Sequence, residues 1–258
     1  MKNFLSLEKE IEIVNLRKSG RTPTEIMCLY DIKKHHYYNI ISRNGTSRCI
    51  PNKKYLQNDN YFSIIDSTEK AYWLGFLFAD GYVREYQLSL CLSLKDKLHL
   101  IKFKNSIESD SEIKDRSIKR KYKGVDKIYY SSTLDVYSIT IYNDLLQYGL
   151  CRNKSLILQP PKNVPEFYFR DFIRGYFDGD GCVSTFKNHK KIKILGTYEF
   201  LNWINKVLSN NGVSIRNIDK QTNNIFRIQY NTKDVKLIYN YFYKQSIIHL
   251  ERKKEKFS

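Results

Sequence analysis

The chain has 258 residues and is strongly basic, with 44 Lys and Arg against 27 Asp and Glu and a formal net charge of +17. Its hydrophobic content of 41% can build a core for one large or two modest domains, which excludes disorder over most of its length. The charge and the 14% aromatic content favour a polyanionic partner, and a nucleic acid fits best. No apolar run is long enough to span a bilayer, and Met1–Phe4 shows no signal-peptide pattern. We therefore expect a soluble intracellular protein without a membrane partner.

The five cysteines are scattered, odd in number and never spaced as CxxC. They are Cys28, Cys49, Cys91, Cys151 and Cys182. This pattern argues against both a disulfide framework and a zinc site. We interpret Cys91 and Cys182, which fall in predicted strands, as small core or half-buried residues.

Three short helices are predicted near the N-terminus. The first covers residues 7–18. The second begins with Thr22 as N-cap, Pro23 at the first helical position and Glu25 completing a capping box. The third opens at Asp31. The residues predicted to face inward are Leu7, Ile11, Val14, Ile26, Leu29, Ile40 and Ile41.

Three short helices with a glycine turn and a basic third helix resemble the helix-turn-helix modules of resolvases and related DNA-binding proteins. We therefore interpret residues 1–44 as an all-α helix-turn-helix domain. Its third helix exposes residues suited to phosphate or base contact, namely Lys33, Lys34, His35, His36 and Tyr37. Adjacent histidines on a helix point about 100° apart, so a shared metal ion is not expected. A small helical cap with solvated charges is the alternative.

Hydrophobic periodicity is lost over residues 45–66, which we interpret as a basic linker. Two runs of elements then follow in the same order: helix, strand, strand, helix, strand, strand, helix. The first occupies residues 67–164 and the second residues 165–258. The fold class is therefore α+β, with two αββαββα repeats related by pseudo-twofold symmetry.

The opening helix of each repeat ends in a related motif, WLGFLFADG at 73–81 and IRGYFDGDG at 173–181. Each motif is an apolar helix with a central glycine, ending in an aspartate and a glycine suited to the left-handed position after a helix. An aspartate there faces the negative end of the helix dipole, so it needs a neighbouring positive charge. Its occurrence twice suggests a metal site. Gly75 and Gly175 would let the two helices approach closely.

The two motifs resemble those of the LAGLIDADG homing endonucleases. The second copy matches the family pattern well, whereas the first has Phe78 where the family usually has an acidic residue. The resemblance implies that Asp80 and Asp180 are catalytic metal ligands. The carbonyl groups of Ala79 and Gly179 would face the same ions, Mg²⁺ or Mn²⁺.

The resemblance also implies a fold and an activity. The repeats would form a saddle-shaped sheet surface on DNA, and a monomer would cut both strands of a long, specific double-stranded target by phosphodiester hydrolysis. The role would be intron homing by a mobile element, in the compartment that holds the target DNA. The family places a lysine near each scissile phosphate. Lys162 is the first candidate, and Lys154 and Lys253 are further ones.

Base reading is expected from strand faces turned away from the helices. The candidates are Lys191, Lys193, Arg227 and Gln229, which alternate with apolar residues. A solvated sheet face is the alternative for them. Two other functions remain open on the same fold: a DNA-binding regulator that does not cut, and a maturase that binds its own intron RNA.

Overall fold

The computed structural model of the protein describes residues 5–19, 21–43, 55–122, 124–187 and 189–257. The chain divides into two compact units, Met1–Lys54 and Tyr55–Ser258. Among the described residues, none of the helices has the length and apolar character that a bilayer crossing needs.

The N-terminal unit contains three helices, α1 (Leu7–Lys18), α2 (Pro23–Leu29) and α3 (Lys34–Arg43). The predicted capping box of α2 is confirmed, because the Thr22 side chain accepts from Glu25 N and the Glu25 carboxylate accepts from Thr22 N at 2.9 Å. The third helix begins at Lys34 and not at Asp31. Asp31 has a φ of 45°, which is incompatible with the helix and forms the turn before it.

Three of the residues predicted to face inward are exposed. Leu7, Ile11 and Leu29 are 71%, 49% and 67% exposed. The core of this unit consists of Ile13, Val14, Ile26, Tyr37, Ile40 and Ile41. The apolar residues of α1 fit more than one helical face, and packing against α2 and α3 selects the face that carries Ile13.

The second unit contains the two predicted repeats. The first repeat has α4 (Thr68–Asp80), β1 (Gly81–Arg84), β2 (Gln87–Ser93), α5 (Lys97–Ser106), β3 (Ile113–Tyr122), β4 (Val125–Tyr137) and α6 (Ile139–Gln147). The second has α7 (Phe169–Asp180), β5 (Cys182–Phe186), β6 (His189–Gly196), α8 (Tyr198–Ser209), β7 (Ile218–Thr222), β8 (Ile225–Tyr230) and α9 (Thr232–Tyr243). A short helix, α10 (Glu251–Glu255), follows. The predicted αββαββα order is confirmed in both repeats.

Each repeat forms a four-stranded antiparallel sheet with the same strand order, β1-β2-β4-β3 and β5-β6-β8-β7. Burial alternates along the strands, as in β2, where Leu88, Leu90 and Leu92 are buried between more exposed neighbours. Helices cover the apolar faces, and α4 and α7 pack against each other in a core that both repeats share. Within the described part of the second unit, no helix packs on the opposite face of either sheet, whose side chains are exposed or half-buried, and we refer to it as the uncovered face.

The predicted linker is wrong over residues 55–66, which belong to the second unit. Phe62 and Ile65 are buried in its core. The backbone of this segment is also hydrogen-bonded to the rest of the unit. Leu56 N donates to Asp110 Oδ1 at 2.6 Å, and Asn58 N donates to Ile107 O, just after α5, at 2.8 Å. The segment is mostly polar, and its few buried apolar residues do not recur with a helical or strand period. The sequence therefore provides no indication that the segment packs on the core. Residues 45–54 lie outside the described residues.

Candidate active site

The two motif helices touch through their backbones at the central glycines. A Cβ atom at Gly75 would lie 1.9 Å from Phe172 O, and one at Gly175 would lie 2.0 Å from Tyr72 O. Any larger residue would therefore drive the helices apart. The predicted close approach through Gly75 and Gly175 is confirmed.

The same close packing continues to the C-terminal ends of the helices. A Cβ atom at Gly179 would lie 2.4 Å from Ala79 Cβ and 3.2 Å from Asp80 Oδ2. The end of α7 therefore lies directly against the end of α4. This contact brings the carboxylates of Asp80 and Asp180 into electrostatic range of each other.

The terminal glycines of the motifs do not adopt the predicted left-handed conformation. Gly81 and Gly181 have φ values of −70° and −71°, because each helix passes straight into the first strand of its repeat. Glycine is needed there for space. A Cβ atom would lie 2.6 Å from Leu77 O at Gly81 and 2.1 Å from a ring carbon of Phe177 at Gly181.

The protein environment disfavours ionisation of both aspartates. Desolvation, the larger cause, and repulsion from Asp180, the second, together raise the pKa of Asp80 to about 6. Desolvation also raises the pKa of Asp180, against the opposing effects of Lys154, Lys253 and the Tyr176 hydroxyl. Both residues are nevertheless exposed to solvent on the side that faces away from the core. The pair therefore presents two crowded carboxylates to an incoming ligand, and a cation would relieve their repulsion.

A lysine lies at the end of each motif helix. Lys154 Nζ donates to Gly81 O, and Lys253 Nζ donates to Gly181 O and lies 3.4 Å from Gly179 O. These ammonium groups cap helix carbonyls and sit in the field of the carboxylates. Desolvation lowers the pKa of both lysines. The two lysines occupy equivalent places in the two repeats.

Lys162, the first candidate from sequence, is not brought to this site. It is exposed, its backbone N–H donates to Tyr148 O at 3.0 Å, and its charge is not among those that shift the pKa of either aspartate. The site receives Lys154 instead, from a short 3₁₀ turn that starts after Asn153 in the left-handed conformation, with φ of 57°. That turn has no periodicity by which a sequence could reveal its direction.

The donor set fits a hard divalent cation. Among the described residues, no group of three or more His, Cys, Asp and Glu side chains could hold a metal ion. Mg²⁺ does not need one, because it is commonly held by one or two carboxylates together with waters and substrate phosphates. Asp80 and Asp180 could supply these carboxylates, and the Gly179 carbonyl, expected from the sequence as a further donor, lies beside Lys253.

The residues predicted to read DNA share the uncovered face of the second sheet. Lys193 lies opposite both Cys182 and Gln229, and Arg227 lies opposite Leu195 on the same face. Lys191 is exposed two positions before Lys193. Arg227 also contacts Asp219, with a nitrogen to oxygen distance of 3.3 Å.

Two of the cysteines differ from their predicted environment. Cys182 and Cys91 are both exposed and not core residues. Each belongs to the polar half of an alternating strand, so it faces away from the helices.

One predicted contact of the N-terminal unit is wrong. Lys33, Lys34 and His35 are exposed and His36 is half-buried, but Tyr37 is fully buried. Tyr37 packs in the core of this unit because it precedes Ile40 and Ile41 by three and four positions on the same face of α3. That spacing was a sequence signal for a core residue.

The comparisons with known proteins agree with this architecture. The family model described as a LAGLIDADG-like domain matches residues 168–240, which include the second motif. This chain contains a LAGLIDADG-like domain. The matched residues contain α7, whereas α4, the helix packed against it, lies outside them. No curated protein matches the chain at a significant level.

Several solved structures are similar to the chain at low sequence identity. The homing endonuclease I-WcaI, bound to its DNA recognition sequence, has a TM-score of 0.51 and 14% identity, covering 76% of this chain and 90% of that one. Full-length DUF199/WhiA from Thermatoga maritima has a TM-score of 0.46 and 16% identity, covering 78% and 63%. Meganuclease I-SmaMI, bound to uncleaveable DNA, has a TM-score of 0.46 and 13% identity, covering 69% and 84%. The likeness to I-WcaI shows the fold and leaves the activity to be argued from the site.

Proposed function

We propose that the protein is a site-specific homing endonuclease that hydrolyses one phosphodiester bond in each strand of a long double-stranded DNA target. The observation that carries the proposal is the meeting of two aspartates at the ends of the paired helices, each with a lysine beside it. A protein that only bound DNA would gain nothing from two crowded carboxylates facing phosphates, because they repel each other and the ligand.

Asp80 and Asp180 would hold Mg²⁺ or Mn²⁺ between the helix ends. A bound ion of this kind polarises the scissile phosphate and lowers the pKa of water. The two lysines add positive charge beside the negatively charged carboxylates. Lys154 and Lys253 would each stabilise the developing negative charge at one scissile phosphate. Because desolvation lowers their pKa, they also hold a proton less firmly than a free lysine does.

DNA binding would use the uncovered sheet faces and the net charge of +17. Lys191, Lys193, Arg227 and Gln229 would contact bases or phosphates from the second sheet. With both motifs in one chain, a monomer can supply both cleavage sites. The protein would then work in the compartment of its target DNA, as the product of a mobile intron or free-standing element.

The N-terminal unit would add a helix-turn-helix contact. Lys33, Lys34 and His35 are exposed at the start of α3, with His36 partly so. The N-terminal residues of such a helix are the ones that reach base edges in the major groove. Lys33 and Lys34 would also neutralise phosphates.

The hairpin of β3 and β4 extends the uncovered face of the first sheet beyond the edge of that sheet. β2 pairs with β4 as far as Ser93 opposite Ser131, whereas β3 and β4 continue as a two-stranded ribbon, residues 117–122 paired with 125–130. At about 3.3 Å per residue the ribbon is about 20 Å long. The corresponding strands of the second repeat, β7 and β8, have only 5 and 6 residues.

Charge is divided between the two faces of this ribbon. The register places Arg120 and Lys127, with Arg116 at the base of the ribbon, on the face that continues the uncovered face of the sheet, and places Lys119 and Lys121 on the other face. The acidic Asp126 lies on the other face, opposite Lys121. A two-stranded ribbon fits the major groove, so the first repeat would contact a longer half-site than the second.

Replacing Arg116, Arg120 and Lys127 together by Gln is expected to lower DNA affinity. The slope of log K against log salt should fall by about 3, since each lost phosphate contact removes about 0.9. The footprint should shorten on one side by about six base pairs, from the ribbon length and 3.4 Å per base pair. The matched control is the Lys119→Gln/Lys121→Gln variant on the other face. Equal changes per charge removed, with three charges lost in the first variant and two in the control, would contradict the assignment of the faces.

Cleavage by variants of the three candidate lysines tests the proposed site. The probe is a supercoiled plasmid that carries a target selected from a random duplex library by binding in Ca²⁺. Lys154→Met and Lys253→Met are each expected to slow double-strand cleavage in Mg²⁺ by about 10²-fold, because each removes a charge at a scissile phosphate. Lys162→Met should cleave like the wild type.

The outcomes separate catalysis from a structural role of the lysines. If Lys154 and Lys253 only cap helix ends, their variants will unfold at lower temperature but cleave at the wild-type rate per folded molecule. Tight binding by the wild type without any cleavage would make the protein a non-cutting regulator. Preferential binding of the intron transcript over the DNA target would favour the maturase.

A further inference from the structure

The two halves of the central helix pair differ in one buried contact. On one side of the crossing, the Tyr72 hydroxyl of α4 donates to Asp178 Oδ2 of α7 at 2.8 Å. On the other side, Phe172 and Phe78 occupy the corresponding positions, with ring centroids 4.9 Å apart. The same interhelical contact is therefore polar in one half and apolar in the other.

Asp178 is completely buried and accepts three hydrogen bonds. The Tyr72 hydroxyl, the Tyr243 hydroxyl at 2.5 Å and the backbone N–H of Leu250 at 2.7 Å all donate to its carboxylate. A buried carboxylate is costly to desolvate even when it is well bonded, and an apolar pair of similar volume is often as stable. Phe78, at the equivalent position of α4, shows that the fold accepts an apolar side chain there. The presence of a buried carboxylate must therefore be explained by the groups that it binds.

Asp178 holds the start of α10. Leu250, whose N–H it binds, is the N-cap of this helix, and Lys253 follows three positions later. Beside it, Arg174 Nε donates to Ile248 O at 3.1 Å. A helix of five residues is not stable by itself, so tertiary contacts of this kind decide where α10 lies.

The side chains of α10 depend on that position. Lys253 Nζ reaches Gly181 O, and Arg252 donates to the Asp96 carboxylate at 2.7 and 2.9 Å. Lys154, on the other side of the site, belongs to a 3₁₀ turn. The counterpart of Asp178 in that half is Phe78, which has no hydrogen-bonding group.

We propose that Asp178 is a positioning residue for Lys253. It fixes the first turn of α10 and thereby the ammonium group that serves one of the two cleavage sites. The inference rests on the proposed function, because it assigns that lysine to the cutting of one strand. The two strand cleavages then depend unequally on the buried network, and loss of Asp178 converts the enzyme towards a nickase.

The test compares Asp178→Leu with Phe78→Leu, the matched change on the apolar side of the helix pair. Cleavage of each end-labelled strand of the selected target is followed in Mg²⁺, and amide hydrogen exchange is measured over residues 250–255. Asp178→Leu is expected to slow one strand by about 10²-fold through misplacement of Lys253, with much less effect on the other strand. It should also expose α10 to exchange. Phe78→Leu should change neither the strand ratio nor this exchange.

Three further variants sharpen the test. Lys253→Met identifies the strand that this lysine serves, and Asp178→Leu must slow the same strand. Asp178→Asn keeps an acceptor oxygen for Leu250 N–H, so it should restore much of the strand balance. If Asp178→Leu fails to fold, the Tyr72→Phe/Asp178→Leu variant recreates the apolar contact of the other half and is expected to show the same strand preference.

Equal slowing of both strands, with the exchange of α10 unchanged, would overturn the positioning role while leaving the endonuclease proposal standing. Slowing of the strand that Lys253 does not serve would overturn it as well. If the wild-type protein cuts neither strand, the proposed function fails. The exchange of residues 250–255 in Asp178→Leu and Asp178→Asn then still decides whether Asp178 holds α10.

Discussion

Asp80→Asn and Asp180→Asn are each expected to abolish double-strand cleavage, with rates at least about 10³-fold below the wild type. Each change removes a carboxylate from a proposed site built of two, and a cation held between them would contribute several kcal/mol to stabilising the transition state. DNA affinity in Ca²⁺ should fall far less, because most of the binding free energy would come from basic residues along the sheets. Plasmid linearisation in Mg²⁺ and a binding titration in Ca²⁺ measure the two effects separately.

The same substitution at Asp80 is expected to stabilise the metal-free protein. Its pKa in the folded state is about 6, above its ordinary value of 3.8, so ionisation opposes folding at neutral pH. The wild type should therefore gain stability as the pH falls from about 6 towards about 4, and Asp80→Asn should gain less, because only Asp178 and Asp180, whose pKa values are also raised, still contribute. We expect about 1 kcal/mol at pH 7, reduced from the full shift because Asp80 contacts solvent.

Thermal unfolding in EDTA over this pH range measures the stability effect. Asp66, an exposed carboxylate paired with Lys70 at 2.9 Å, supplies the control, because that interaction lowers the pKa of Asp66. Asp66→Asn should not stabilise the protein. A wild type that loses stability between pH 6 and 5 while Asp80→Asn does not would contradict the assigned repulsion. Full cleavage by either active-site variant would remove the metal site from the mechanism.

Gly75→Ala and Gly175→Ala are expected to be the most destabilising single substitutions in the helix pair. Each new methyl group would lie within 2.0 Å of a backbone carbonyl oxygen of the partner helix, which cannot move without separating the helices. We expect losses of about 4 kcal/mol or more in the free energy of unfolding, at the upper end of single substitutions. Urea unfolding followed by circular dichroism measures the loss.

Gly196→Ala is the control for these two variants. Gly196 is also buried, but the nearest atoms to a Cβ atom there would belong to the side chains of Leu201 and Phe200, at an ordinary contact distance of 3.4 Å. Its effect should be small, about 1 kcal/mol or less. Wild-type stability of Gly75→Ala would show that the helices have room to separate. The site between Asp80 and Asp180 would then not depend on backbone contact at the glycines.

The repeat architecture could be predicted from the sequence because it depends on short-range patterns. Alternating Leu88, Leu90 and Leu92 predict a strand with one buried face, and the capping box at Thr22 fixes a helix start. The duplicated motif predicts that Gly75 and Gly175 meet, since a glycine in the middle of a helix otherwise only weakens it. These signals act within a few residues, so they can be recognised without the rest of the fold.

Other positions were decided by tertiary contacts. Residues 55–66 have a polar sequence, yet Phe62 and Ile65 anchor them to the core. Leu7 and Ile11 are apolar but exposed, because packing against the other two helices turns the face of α1 that carries Ile13 inward. Which face of a short helix turns inward depends on partners that lie elsewhere in the chain.

The sequence alone therefore determined the two aspartates, the two glycines and the repeated order of elements, because each follows from a local motif and its second copy. Only the tertiary structure decided which lysines join the aspartates. Lys154 and Lys253 come from a 3₁₀ turn and a five-residue helix, whose positions follow from contacts with distant residues and not from their own sequence. Contacts of the same long-range kind place the Asp178 carboxylate against the backbone N–H of Leu250 at the start of α10, whereas Phe78 packs in the core.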